Sequence, residues 1–166
     1  MRIGIDIDDT LLDTSKSFDK VIKKYNVNFS KKLNEKWTAE ESDFIYKNYL
    51  FEVLVNAKPK EKSQEVVKKL QEEGHKLYII TARGNVHCKN IEEETLKIIK
   101  NLYNIDEFYF GYFNKQDIAN SLNLDLMIDD NISVYNSIKN VGIDCILFGD
   151  TIKTWDSVLK YIESGD

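Results

Sequence analysis

Five short apolar runs punctuate the chain: RIGIDI (2–7), KLYIIT (76–81), EFYFGY (107–112), DLMID (125–129) and DCILFG (144–149). Runs of this length, apolar on successive positions, are what strands buried on both faces of a parallel sheet require. The segments between them change period. Residues 60–73 follow Pro59, place Val66, Val67 and Leu70 at helical spacing and stop at Gly74. Residues 90–103 carry Ile91, Thr95, Ile98, Ile99 and Leu102 on one stripe. Shorter helices fit 115–122, 132–140 and 155–163. Alternation of this kind predicts an α/β fold, a Rossmann-like, doubly wound parallel sheet of about five strands.

One segment breaks the alternation. From Thr14 to Lys58 there is no clear buried strand, yet eight of the nineteen aromatics lie there: Phe18, Tyr25, Phe29, Trp37, Phe44, Tyr46, Tyr49 and Phe51. A structureless loop of that length is improbable in a compact domain. The expectation is two or three helices forming a small cap. The domains are then a core of residues 1–14 and 59–166 with residues 15–58 as a helical insertion after strand one. Taken singly, each aromatic is better placed in the cap's own core than on a ligand.

In open α/β sheets ligands bind outside the carboxyl ends of the strands, so the polar residues just past each run matter most. The first run ends in Asp6, Asp8, Asp9 and Thr10; the second in Thr81, Ala82, Arg83 and Gly84. Asn114 and Lys115 follow the third, and Asp129, Asp130 and Asn131 close the fourth. Carboxylates this crowded repel one another. A calcium EF-hand loop does not account for them. Counted from Asp6, its fifth, sixth and twelfth positions would be Thr10, Leu11 and Ser17, where the motif needs an acid or amide, Gly and Glu. A solvated turn explains one acidic cluster but not a second on another strand. Mg²⁺ held by a few carboxylates, water and a substrate phosphate fits, and so does a carboxylate that attacks phosphorus.

At these residues the chain resembles the haloacid dehalogenase-like phosphohydrolases. Asp6-Ile7-Asp8-Asp9-Thr10 matches that superfamily's DxDxT motif, Thr81 its strand-closing Thr or Ser, Lys115 its lysine and Asp129-Asp130 its last acidic pair, in the family's order. The insertion between the first two motifs resembles the type-one cap, and the size and IITARG resemble the 5′(3′)-deoxyribonucleotidase-like group. The resemblance implies a Mg²⁺-dependent phosphomonoester hydrolase. Asp6 is then the nucleophile, and Asp8 protonates the leaving oxygen and later activates water. Thr81 and Lys115 hold the phosphate oxygens. Asp6, Asp129 and the Asp8 carbonyl hold the metal, and Asp130 supports the metal through water or orients Lys115. Asp13 reads as a helix N-cap, Asn131 as the cap of the helix after strand four, and Asp9 as a loop-shaping or capping residue. Arg83 is a substrate contact or a surface ion pair. Asp8 must titrate differently from Asp6 to play its part.

The substrate expected is a small phosphate ester, first of all a (deoxy)nucleoside monophosphate, with a sugar phosphate as the alternative. From other classes, a non-catalytic relative that only binds stays open. A two-component receiver domain also uses acids, Thr and Lys with Mg²⁺, but its second acidic pair does not follow the lysine, and it carries no such insertion.

Composition narrows the setting. The 166 residues suffice for one core with a small insertion, at 42% hydrophobic and 31% charged. A net charge of −5 disfavours nucleic-acid polymers as partners. Residues 15–36 nevertheless carry seven lysines against two acids. That is either a solvated helix face or a basic rim drawing an anionic substrate in. Cys88 and Cys145 show no metal or disulfide spacing, and His75 and His87 read as surface histidines. No run is long enough to span a membrane, and no leader precedes RIGIDI, so the expected location is the cytoplasm.

Overall fold

The computed structural model describes residues 1–33 and 35–165. In chain order its elements are β1 (Arg2–Ile5), β2 (Leu12–Asp13), α1 (Thr14–Lys24), α2 (Ala39–Asn48), α3 (Leu50–Asn56), β3 (Lys58–Pro59), α4 (Ser63–Glu72), β4 (Lys76–Ile80), α5 (Ile91–Tyr103), β5 (Phe108–Tyr109), α6 (Gln116–Ser121), β6 (Leu126–Asp129), α7 (Ile132–Asn140), β7 (Asp144–Leu147) and α8 (Trp155–Ser164). The main sheet runs β5-β4-β1-β6-β7 with every pairing parallel. The chain steps outward from β1 through β4 to β5, then returns to β6 on the other side of β1. The switch point therefore lies between β1 and β6, where a crevice opens.

Two-residue periodicity divides the strand side chains between two cores. Ile3, Ile5, Leu77, Ile79, Leu126 and Ile128 face one layer, packed with residues of α4, α5 and α8. Tyr78, Ile80, Met127 and Cys145 face the other, against Ala119 of α6 and Val134 and Ile138 of α7. Gly4 belongs to the second face. A Cβ there would come within 2.6 Å of Leu124 Cδ1 and 2.7 Å of the Met127 sulfur, so the central strand carries hydrogen where its neighbours carry side chains.

Several elements are shorter than their apolar runs. Pro59 does not open the helix of residues 60–73; it pairs with Leu12 in an antiparallel ribbon, and α4 waits for Ser63. The run 107–112 yields only two strand residues, because Gly111 turns at φ +79. Past that turn the Gly111 and Tyr112 N–H groups donate to the Arg83 and Thr81 carbonyls at 2.8 and 2.9 Å, which ties the segment leading to Lys115 onto the end of β4.

Between the ribbon strands β2 and β3, α1 to α3 gather their own apolar cluster around Phe18, Val21, Ile45 and Val53, with Phe29, Trp37 and Tyr49 packed on it. Leu54 of α3 meets Cys88 and Ile91 at the start of α5, which seats this helical layer on the sheet domain. Both cysteines are free and buried. No helix among the described residues is long and apolar enough to cross a membrane.

The acidic loop after β1 is pinned from behind. Trp155 is fully buried and its indole N–H donates to the Thr10 carbonyl at 3.0 Å. Trp155→Ala is expected to cost about 3–5 kcal/mol, from the cavity left and the orphaned carbonyl. Denaturant unfolding checks this, and a loss below about 1 kcal/mol would contradict the pinning role.

Candidate active site

The parallel register builds the site. Ile5 pairs with both Ile79 and Ile128, so the residues one step further on, Asp6, Ile80 and Asp129, come side by side, with Thr81 just past β4. The Asp6 N–H donates to the Ile128 carbonyl at 3.0 Å and fixes that alignment. Asp6 and Asp129 thus stand on the two sides of the switch point, both buried. Lys115, also buried, reaches between them: its ammonium donates to Asp6 Oδ1, and to Asp129 Oδ2 at 2.7 Å.

The charges do not balance. Burial raises the Asp6 carboxyl well above its ordinary range; Lys115 pulls it down, but Asp129, Asp8 and Asp130 push it up again. For Lys115 burial works against the charge, and the two carboxylates outweigh it and hold the ammonium firmly protonated. Asp130 is exposed at its residue surface, yet the protein around its carboxyl, then the charges of Asp129 and Asp9, push it up to about 7. Several carboxylates therefore share one ammonium.

Asp8 is held differently. The Arg83 guanidinium embraces it, with Nη2 at 2.7 Å and Nε at 3.1 and 3.2 Å from its two oxygens, and the Thr14 hydroxyl donates at 2.6 Å. Burial alone would raise Asp8; the charge and hydrogen bonds of Arg83, then the Thr14 hydroxyl, outweigh it and lower the carboxyl below its ordinary range. Arg83 itself is only 1% exposed at its side chain and spends its remaining nitrogen on Thr95 at 3.1 Å. The alternative of a surface ion pair gives way here: Arg83 is a buried partner of Asp8, seventy-five positions away in sequence. The two carboxylates titrate apart, Asp6 pushed up and Asp8 held down.

Thr81 is buried, and its hydroxyl accepts the Arg83 N–H at 3.1 Å, which leaves its own proton to donate. Asp129 Oδ1 accepts the Asn131 N–H at 2.9 Å, and the Asn131 side chain caps α7. Asp13 caps α1. Asp9 has left-handed backbone, φ 55, and accepts from the Ser15 N–H at 2.9 Å and from its hydroxyl, so it both shapes the loop and caps the same helix. The Thr10 hydroxyl is buried without a partner among the described residues.

A cavity of about 360 Å³ opens beside Asp8. Asp8, Thr14 and Arg83 form its floor, and Trp37 and Tyr46 approach from the helical layer. Phe18 lies in the helical layer's own core, its ring tilted against Trp37 at 5.4 Å, and Phe44 packs on Tyr49 outside the cavity lining. His87 and Phe113 supply the opposite wall, edge to face at 5.2 Å. The sequence reading takes His87 only as a surface histidine and does not single out Phe113. Their signal is position: one follows the Thr81–Gly84 loop, the other directly precedes Asn114-Lys115.

Among the described residues no group of three or more His, Cys, Asp or Glu side chains stands close enough to hold a metal ion. What the site offers instead is two buried carboxylates, Asp6 and Asp129, with more negative charge than Lys115 cancels. That all-oxygen set fits a hard cation that keeps water and substrate oxygens in its shell, not zinc.

No family model matches the chain. A Bacillus cereus protein named "putative nucleotidase" is 26% identical over 163 residues, covering 83% of this chain and 80% of that protein. A haloacid dehalogenase-like family hydrolase from Streptococcus pneumoniae superposes with a TM-score of 0.69 at 17% identity over 97% of each chain. A structure from Haemophilus somnus described as a "predicted phosphoglycolate phosphatase" gives 0.65 at 14% identity, again over 97% of each. The fold is that of the haloacid dehalogenase-like hydrolases.

Proposed function

We propose that the chain is a phosphomonoester hydrolase working through an aspartyl-phosphate on Asp6, with residues 1–14 and 59–166 as its catalytic core and 15–58 as a cap over the leaving group. The observation that carries this reading is the pairing of a buried, Lys115-bound Asp6 with a separately held, ionised Asp8 whose far side opens on the cavity.

Asp6 attacks phosphorus as the bond to the leaving oxygen breaks. Asp8 protonates that oxygen. It is ionised at rest; the charge of an arriving phosphate raises its affinity for a proton, which it takes up from solvent or from a monoanionic ester and then passes to the leaving oxygen. In the second step Asp8 takes a proton from water as the water attacks phosphorus, and the bond to Asp6 breaks. Thr81 and Lys115 hold the non-bridging oxygens. Arg83 positions Asp8. Asp6, Asp129 and the Asp8 carbonyl would hold Mg²⁺, which supplies the positive charge that lets a carboxylate approach a dianionic phosphate.

For the substrate, a (deoxy)nucleoside monophosphate is favoured by the Trp37 and Tyr46 rings in the cavity and by the name of the Bacillus cereus relative. Hydrolysis of p-nitrophenyl phosphate tests the reaction class. Turnover is expected with Mg²⁺, lost in EDTA and restored by Mg²⁺. Undiminished turnover in metal-free buffer would overturn the metal assignment, and no turnover under any of these conditions would overturn the hydrolase.

A further inference from the structure

The cavity beside Asp8 is unusually poor in positive charge for an enclosure that receives part of an anion. Its one guanidinium, Arg83, is spent on Asp8 and Thr95. None of the seven lysines of residues 15–36 lines it. Lys16 and Lys20 border a cleft with Asp13 and Lys58, and Lys23, Lys31 and Lys32 a groove behind Phe18 and Phe29. Lys24 and Lys31 are paired with Glu52 and Glu41. Lys47 and Lys89 belong to an adjoining groove on the far side of Tyr46 and His87. The basic rim considered from the sequence does not face the leaving group.

What the lining does contain is a carboxylate. Glu35 borders the cavity and has no ion pair or side-chain hydrogen bond among the described residues. The same lining holds ring faces the core does not need: Tyr46 is 44% exposed and Phe113 63%. Ring faces favour a flat, apolar leaving group. An unpaired, exposed carboxylate at the rim of a cavity whose described lining offers no free cation disfavours a second anion by like-charge repulsion, which salt screens in part.

We propose that this cavity selects phosphate monoesters whose leaving group is flat and uncharged, and rejects leaving groups that carry a carboxylate or a second phosphate, with Glu35 as the residue that sets the rule. The proposal rests on the hydrolase reading above and adds to it. It counts against phosphoglycolate and bisphosphates as substrates, and for nucleosides that bear a single phosphate.

The test uses a matched pair, phenyl phosphate and 4-carboxyphenyl phosphate, which share the ring and differ by one carboxylate that barely alters the acidity of the leaving phenol. At about pH 8, above the ordinary imidazole range, and low ionic strength, kcat/KM is expected to be about two- to fivefold lower for the carboxylated ester, chiefly through KM. Glu35→Gln should narrow the gap and Glu35→Lys should close or invert it. Calorimetric binding of benzylphosphonate and 4-carboxybenzylphosphonate, which cannot be hydrolysed, reads the same preference without catalysis. Equal or tighter binding of the carboxylated phosphonate, no binding of either, or a ratio unmoved by Glu35→Lys would each overturn the proposal. Discrimination between the phosphonates with no turnover of either ester would uphold the cavity's selectivity and remove the hydrolase.

Discussion

Asp6→Asn is expected to lower turnover by at least about 10⁴-fold, the scale on which removal of a covalent nucleophile acts. The amide is nearly the same size and sits in the same strand register, but it cannot form the acyl-phosphate. The fold should survive the change. Burial and three neighbouring carboxylates raise the Asp6 carboxyl, so its charged form is held at a cost that the neutral amide does not carry. The lost contact with Lys115 works the other way, and the two leave stability changed by about 1 kcal/mol or less. Loss of activity with unchanged unfolding is therefore the signature. A variant that keeps a tenth of wild-type turnover would remove Asp6 from the chemistry.

Lys115→Met is expected to destabilise the fold on the same scale as the loss of Trp155. The ammonium is the bridge between Asp6 and Asp129, and removing one partner from a buried ionic set costs about 3–5 kcal/mol, because the charges left behind are uncompensated. A divalent cation is the natural replacement. Added Mg²⁺ should raise the melting temperature of Lys115→Met by more than it raises that of the wild type, since a ligand that binds only the folded state stabilises by mass action, about 2.7 kcal/mol at a hundredfold excess over Kd. The readout needs no substrate. If Mg²⁺ leaves both melting curves unmoved, the carboxylates do not form a cation site. Turnover of the variant should fall by about 10²–10³-fold even with Mg²⁺, as a donor to the phosphate oxygens is lost.

The fold was legible because the strands of a buried parallel sheet must be apolar on consecutive positions, and the acids were legible because they interrupt that pattern at strand ends. Asp6 and Asp129 needed only the inference that parallel strands end together. The Arg83–Asp8 pair was not legible. Nothing local in TARG distinguishes a buried guanidinium from an exposed one; the pairing exists because β1 and β4 are neighbours and Thr95 on α5 closes the other side. The β2–β3 ribbon was invisible for a different reason: two-residue strands carry no period. Among the aromatics, composition could place eight in one layer but not sort them. Phe18 is buried by Phe29 and Trp37, while Trp37 itself also reaches the cavity, a double contact that only packing reveals.

The central claim is a covalent bond between Asp6 and phosphorus, and the Asp8→Asn variant offers the most direct view of it. With p-nitrophenyl phosphate the leaving phenolate departs without needing a proton, so the first step proceeds while the second, which needs Asp8 as base, stalls. Acid quench followed by peptide mapping should then find close to one phosphate per chain, on Asp6. Phosphate on any other side chain, or none on the protein while phenolate release continues past one equivalent, would contradict the account.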